Sequence, residues 1–149
     1  MSSGPRGSRG FTLIEILVVI TVIAILAGLV SPMVFRNVGD AKVTAAKAQI
    51  ETFGLALDTY RMDNDYYPTT EQGLSALQAI PVHEPLPRRW RGPYLKKAVP
   101  LDPWGNPYRY LSPGTSDPQG YDLWSLGRDG KEGGTGEDQD LTSWGAGSP

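Results

Sequence analysis

Among its 149 residues the chain has no cysteine, so no disulfide can staple it and no thiolate can act as nucleophile or metal ligand. It has one histidine, His83, in a proline-rich loop with no partner for triad catalysis or a His-based metal site. No Ser/His/Asp or Cys/His set is available, and no phosphate-cradling glycine loop precedes a helix. These absences point away from an enzyme. Internal repeats are missing as well. The net charge of −2 offers no general attraction for nucleic acid.

What the chain does have begins with a small, polar, basic leader, residues 1–10, whose only charges are Arg6 and Arg9. An apolar run follows over residues 11–30, twenty residues that would rise about 30 Å as a helix, the thickness of a hydrocarbon core. Basic residues flanking such a run stay cytoplasmic, which predicts an N-in orientation. An ordinary cleaved signal peptide is the competing reading. The run is longer than the 7–15 residues usual for a signal core, and no Ala-x-Ala site precedes Ser31-Pro32. A retained anchor fits better.

One charge, Glu15, sits inside this run. A carboxylate in lipid costs at least a few kcal/mol and needs a partner, unless it is merely tolerated at the interfacial end. Pro32 follows just past the run and either kinks the helix or ends it. From Asp40 the pattern is helical: Val43, Ala46, Ile50, Phe53, Leu57 and Tyr60 recur every three or four residues. If the helix survives Pro32 it ends near residue 63, at Asp63-Asn64-Asp65. Thr69 and Gln72 stand at capping-box spacing ahead of a short helix whose apolar face is Leu74, Leu77 and Ile80.

The segment between Pro81 and Pro103 carries Arg88, Arg89, Arg91, Lys96 and Lys97, interleaved with Trp90 and Tyr94. A nucleic-acid patch is conceivable, but no nucleic-acid motif is present, and a solvated loop touching a neighbouring subunit is the better reading. Residues 108–111 and 121–126 are the best strands, separated by the turn former Ser112-Pro113-Gly114. Residues 126–140 then form an acidic, glycine-rich loop without EF-hand spacing. Its composition allows either a solvated loop or an oxygen-rich cation site.

Gly10-Phe11-Thr12-Leu13-Ile14-Glu15, after the basic leader and before the apolar run, resembles the processing site of type IV pilin-like proteins. The resemblance implies that a prepilin peptidase cuts between Gly10 and Phe11 and methylates the new amino terminus at Phe11. It further implies that Glu15 pairs with the terminal ammonium of a neighbouring subunit during assembly, and that Pro32 kinks a helix that continues beyond it. Three further stretches sharpen it: residues 60–74, Asp102-Pro103-Trp104-Gly105-Asn106-Pro107-Tyr108, and Ser125-Leu126-Gly127-Arg128-Asp129-Gly130. With them the chain resembles the major pseudopilins of type II secretion.

That family implies an α+β, type IV pilin-like fold: a long N-terminal helix against a short helix, a small antiparallel sheet and a Ca²⁺ loop. The implied organisation is a cleaved leader (1–10), a transmembrane and filament-core segment (11–31), and a periplasmic domain (32–149). The implied ligands are the Leu126 carbonyl, Asp129, Asp138 and Asp140. The implied function is polymerisation into a periplasmic pseudopilus that drives export of folded proteins across the outer membrane. Its partners would be further copies of itself, minor pseudopilins, the peptidase, an inner-membrane assembly platform and the bilayer, with no nucleic acid. A type IV pilin or competence pseudopilin is an alternative, although the lack of a C-terminal cysteine pair argues against the adhesive pilins. A monomeric, membrane-anchored Ca²⁺-binding module is another.

Overall fold

The computed structural model describes residues 10–145, with the side chains of residues 29–36 left aside; Arg6, Arg9 and the rest of the leader before Gly10 lie outside them. Contacts divide the chain into two compact units, Met1–Val38 and Gly39–Pro149. One helix, α1 (Leu13–Asn64), contributes to both. It runs through Pro32, so that proline does not end it. A kink there concerns a residue whose side chain is not described.

In the first unit the described apolar side chains of α1 face outward on all sides. Leu13, Ile14, Leu17, Ile20, Ile23 and Ile25 are each at least half exposed. A helix apolar all round has no face for water and is built to be covered. Among the described residues, no helix is long and apolar enough to cross a membrane. The stretch from Leu13 to Gly28 rises only about 24 Å.

In the second unit the stripe read from the sequence is the core. Ala46, Ile50, Phe53, Leu57 and Tyr60 are buried, Val43 is half-buried, and Ala56 joins them. Full burial of one large apolar side chain contributes about 1.5–3 kcal/mol, so this face outweighs any intrinsic helix propensity. The helix stops because Asp65 turns left-handed (φ 72°) and donates its N–H to the Arg61 carbonyl at 2.7 Å. Asn64, buried just before it, donates to the Tyr60 carbonyl and accepts from the Arg89 N–H.

The capping box forms: the Thr69 N–H donates to Gln72 Oε1 at 3.1 Å, and the Gln72 N–H to Thr69 Oγ1 at 3.2 Å. It closes a turn and not the start of an α-helix. Only a one-turn 3-10 helix, Leu74–Leu77, follows. Its buried residues are Leu74, Ala76 and Leu77, while the expected Ile80 is exposed, three residues past the end of the helix at Leu77. Gln72 is buried, and its amide donates to the carbonyls of His83 and Pro85, fastening the proline-rich loop. His83 itself is exposed.

The basic segment is pinned by its aromatics. Tyr94 Oη donates to Asp63 Oδ2 at 3.0 Å, Trp90 Nε1 donates to the Ala76 carbonyl at 3.1 Å, and the two rings meet edge to face. Rings so engaged are not a free platform for stacking bases.

The sheet has three strands in the order β1 (Arg109–Leu111), β2 (Asp122–Ser125), β3 (Leu141–Thr142), all antiparallel. β1 and β2 match the sequence reading; β3 is an addition. The connection between β1 and β2 is organised by buried Asp122, whose carboxylate accepts the N–H groups of Thr115, Ser116 and Asp117.

Burial holds the phenols of Tyr108 and Tyr121 neutral, pushing each up to about 12 from 10.0. The unfolded chain releases those protons first as pH rises. Their stabilisation is therefore complete below pH 10 and is lost as pH climbs through 12. Urea unfolding across this window should show a falling midpoint, with a smaller fall for Tyr121→Phe. A flat profile would contradict the linkage.

Candidate functional site

Two places carry the sequence-level candidates. The first is the start of α1. Gly10 and Phe11 are exposed and precede the helix, so the backbone between them is open to approach. Thr12 caps the helix: the Glu15 N–H donates to Thr12 Oγ1 at 3.3 Å and to its carbonyl at 3.1 Å. Glu15 therefore lies in the first turn, where the helix dipole favours a negative charge by roughly 0.3–1 kcal/mol. The Thr-x-x-Glu spacing is a local signal of this helix start.

The second place is the loop between β2 and β3. It is held at its mouth by Asp102-Pro103-Trp104-Gly105-Asn106. Asp102 is buried, and its Oδ1 accepts the N–H groups of Trp104 (3.1 Å) and Asn106 (2.8 Å). Its Oδ2 accepts the Ser125 hydroxyl at 2.6 Å, and Ser125 Oγ in turn accepts the Gly127 N–H. Asn106 donates its amide to the Gly127 carbonyl at 2.8 Å. Gly127 has φ 66°, and a Cβ there would lie 2.6 Å from the Glu137 carbonyl oxygen, so no other residue fits without displacing the loop.

Inside the loop the four expected ligands fare differently. Leu126 directly follows β2. Asp129 is exposed, and its Oδ1 accepts the Lys131 N–H at 3.1 Å. Asp140 accepts the Gly133 N–H on Oδ2 at 2.9 Å, while its Oδ1 is buried with no hydrogen-bond partner among the described residues. Asp138 is otherwise engaged. Both its oxygens accept from Arg128, Nε to Oδ1 at 2.8 Å and Nη2 to Oδ2 at 2.9 Å. Those hydrogen bonds, then the carboxylate's charge, hold the guanidinium above its ordinary value. Among the described residues, no group of three or more His, Cys, Asp or Glu side chains is gathered as for a metal ion. Asp138 is thus already engaged by Arg128.

The loop nonetheless suits a hard cation in its donors. An unpaired buried carboxylate oxygen is costly, and an oxygen-seeking ion would satisfy it. Asp140, Asp129 and the Leu126 carbonyl are the residues that would hold such an ion, with Asp138 joining them only if released by Arg128. Glu137 is seated elsewhere. Its Oε2 accepts Trp104 Nε1 at 2.9 Å, its Oε1 lies 3.6 Å from Arg128 Nη1, and its side chain packs on Gly39 of α1.

The model of the Type II secretion system (T2SS), protein G family matches residues 33–144, and that of the prokaryotic N-terminal methylation motif matches residues 5–31. The type II secretion system core protein G of Pseudomonas aeruginosa is 53% identical over 140 residues, covering 93% of this chain and 96% of that protein. Its counterpart in Escherichia coli K12 is 43% identical over 137 residues, covering 92% of this chain and 91% of that protein. The crystal structure of the major pseudopilin from the type 2 secretion system of enterohaemorrhagic E. coli aligns with a TM-score of 0.61. It is 38% identical and covers 72% of this chain and 90% of that one. With the capped apolar helix, the Asp102 clasp and the glycine-rich loop, these matches establish that the chain belongs to the protein G family of type II secretion systems, the pseudopilins.

Proposed function

We propose that this chain is a structural subunit of a periplasmic pseudopilus, cut between Gly10 and Phe11, methylated at Phe11 and polymerised through its N-terminal helix. The observation that carries this reading is the outward-facing apolar surface of α1, which a single chain leaves uncovered on every side. Before assembly the bilayer of the inner membrane would cover it; in the filament, the same segment of neighbouring copies would. The domain from Gly39 onward then lies in the periplasm. An inner-membrane platform, minor pseudopilins and the prepilin peptidase complete the set of partners.

Glu15 has two roles in this account. Within one subunit it sits favourably in the first helical turn. Between subunits its carboxylate pairs with the terminal ammonium of the next Phe11, an attraction strengthened by the low dielectric of a lipid or filament core. Ca²⁺ is the cation proposed for the loop. When bound it would cross-link loop oxygens and stiffen a segment with little apolar surface of its own. Asp140 would donate its unpaired oxygen, and Asp129 and the Leu126 carbonyl would close around it.

The decisive measurement is the intact mass of the protein recovered from its native membrane. A chain beginning at N-methylated Phe11 is expected. One retaining residues 1–10 in a peptidase-competent cell would overturn the reading. The variant Glu15→Leu should still be cleaved but should lose filament yield by about tenfold or more, if its ion pair is worth about 1.4 kcal/mol. Undiminished filaments would remove the pairing role.

A further inference from the structure

We infer that Arg128 is a built-in counter-cation which competes with Ca²⁺ for the carboxylate of Asp138. The inference rests on the Ca²⁺ reading of the loop and adds a determinant of its affinity. Three features carry it. Arg128 saturates Asp138 with two short, parallel hydrogen bonds, using the fork geometry that suits a carboxylate. The same guanidinium reaches Glu137, so it balances two of the loop's acids together. Asp140, by contrast, keeps a buried oxygen that no donor among the described residues satisfies.

The pair is also displaceable. The two side chains are 58% and 30% exposed, and surface ion pairs of this kind hold weakly in water. A divalent ion seeking six to eight oxygens gains far more from the Asp138 carboxylate than a guanidinium does. The loop therefore has two closed forms. In one, Arg128 latches Asp138 and the loop stays tethered without metal. In the other, Asp138 turns to the cation, and Arg128 keeps only Glu137. Arg128 thus lowers the apparent affinity for Ca²⁺ while sparing the metal-free loop the repulsion of its acids.

The test uses the full chain in detergent micelles, titrated with CaCl₂ by calorimetry, alongside Arg128→Ala and the more conservative Arg128→Gln. Both variants should bind Ca²⁺ about three- to tenfold more tightly than the parent and melt at a lower temperature without metal. In the parent, the Arg128 Nε–H resonance should shift or broaden on saturation with CaCl₂. Equal or weaker binding by the variants, or an unchanged Nε–H resonance at saturation, would overturn the competition and leave the Ca²⁺ site standing. Absence of Ca²⁺ binding in parent and variants alike would overturn both.

Discussion

Replacing Phe53 by alanine is expected to lower the unfolding free energy of the folded domain by about 3–5 kcal/mol. Phe53 is completely buried, and its ring meets that of Tyr108 edge-on at a centroid distance of 5.1 Å. The loss combines transfer of a large apolar side chain to water, a cavity lined by its neighbours, and a lost aromatic pair. Against a total stability of about 5–15 kcal/mol for a typical domain, that is about a fifth or more of the whole. Urea unfolding of the full chain in detergent, followed by fluorescence of Trp104 and Trp124, would measure it. Leu55→Ala is the control, since Leu55 is 72% exposed on the same helix and should change stability by less than about 0.5 kcal/mol. A cost below about 1 kcal/mol for Phe53→Ala would mean that the helical stripe is not the principal support of the domain.

The second large effect is expected at Asp102. Its carboxylate satisfies two backbone N–H groups and one hydroxyl, at a site almost closed to water. Asp102→Ala leaves three donors unpaired, each costing about 1–3 kcal/mol, for an expected loss of about 3 kcal/mol or more. The damage should spread along the chain of contacts to Ser125, Gly127 and the loop beyond. Hydrogen exchange at the amides of Gly127, Arg128 and Gly133 should therefore accelerate more than at the buried turns of α1. Asp102→Asn, which keeps one acceptor, should fall between parent and alanine. Uniform acceleration over the whole domain would show that Asp102 supports global stability alone and has no particular hold on the loop.

Much of the architecture was legible residue by residue. The stripe through Ala46, Ile50, Phe53, Leu57 and Tyr60 is a local periodicity, and burial follows it directly. The aromatic alternation of residues 108–111 and 121–126 likewise marked β1 and β2. Strand β3 escaped notice because two residues, Leu141 and Thr142, carry no period; only pairing with Ser125 and Trp124, some sixteen to eighteen positions earlier, makes them a strand. The spacing of Ile80 fits a helical face, yet the helix is a single 3-10 turn that ends before it.

The candidate site divides in the same way. Glu15 stands out in the sequence because a charge in an apolar run is anomalous wherever the chain goes, and the processing motif around Gly10 and Phe11 is contiguous. The acidic loop could be located by composition alone. Which of its acids are free could not, because that depends on partners brought together by folding. Arg128 and Asp138 are ten residues apart, Trp104 and Glu137 thirty-three, Asp102 and Ser125 twenty-three. By itself the sequence determined the helical stripe, its buried face, the apolar run and the family resemblance, since periodicity and contiguous motifs are properties of neighbours along the chain; that one helix runs through Pro32 was decided by the structure. Only the tertiary structure decided that Asp102 clasps the loop, that Arg128 holds Asp138 and that Asp140 keeps an oxygen unpaired, because a carboxylate's partner is set by whatever packing places within 3 Å of it.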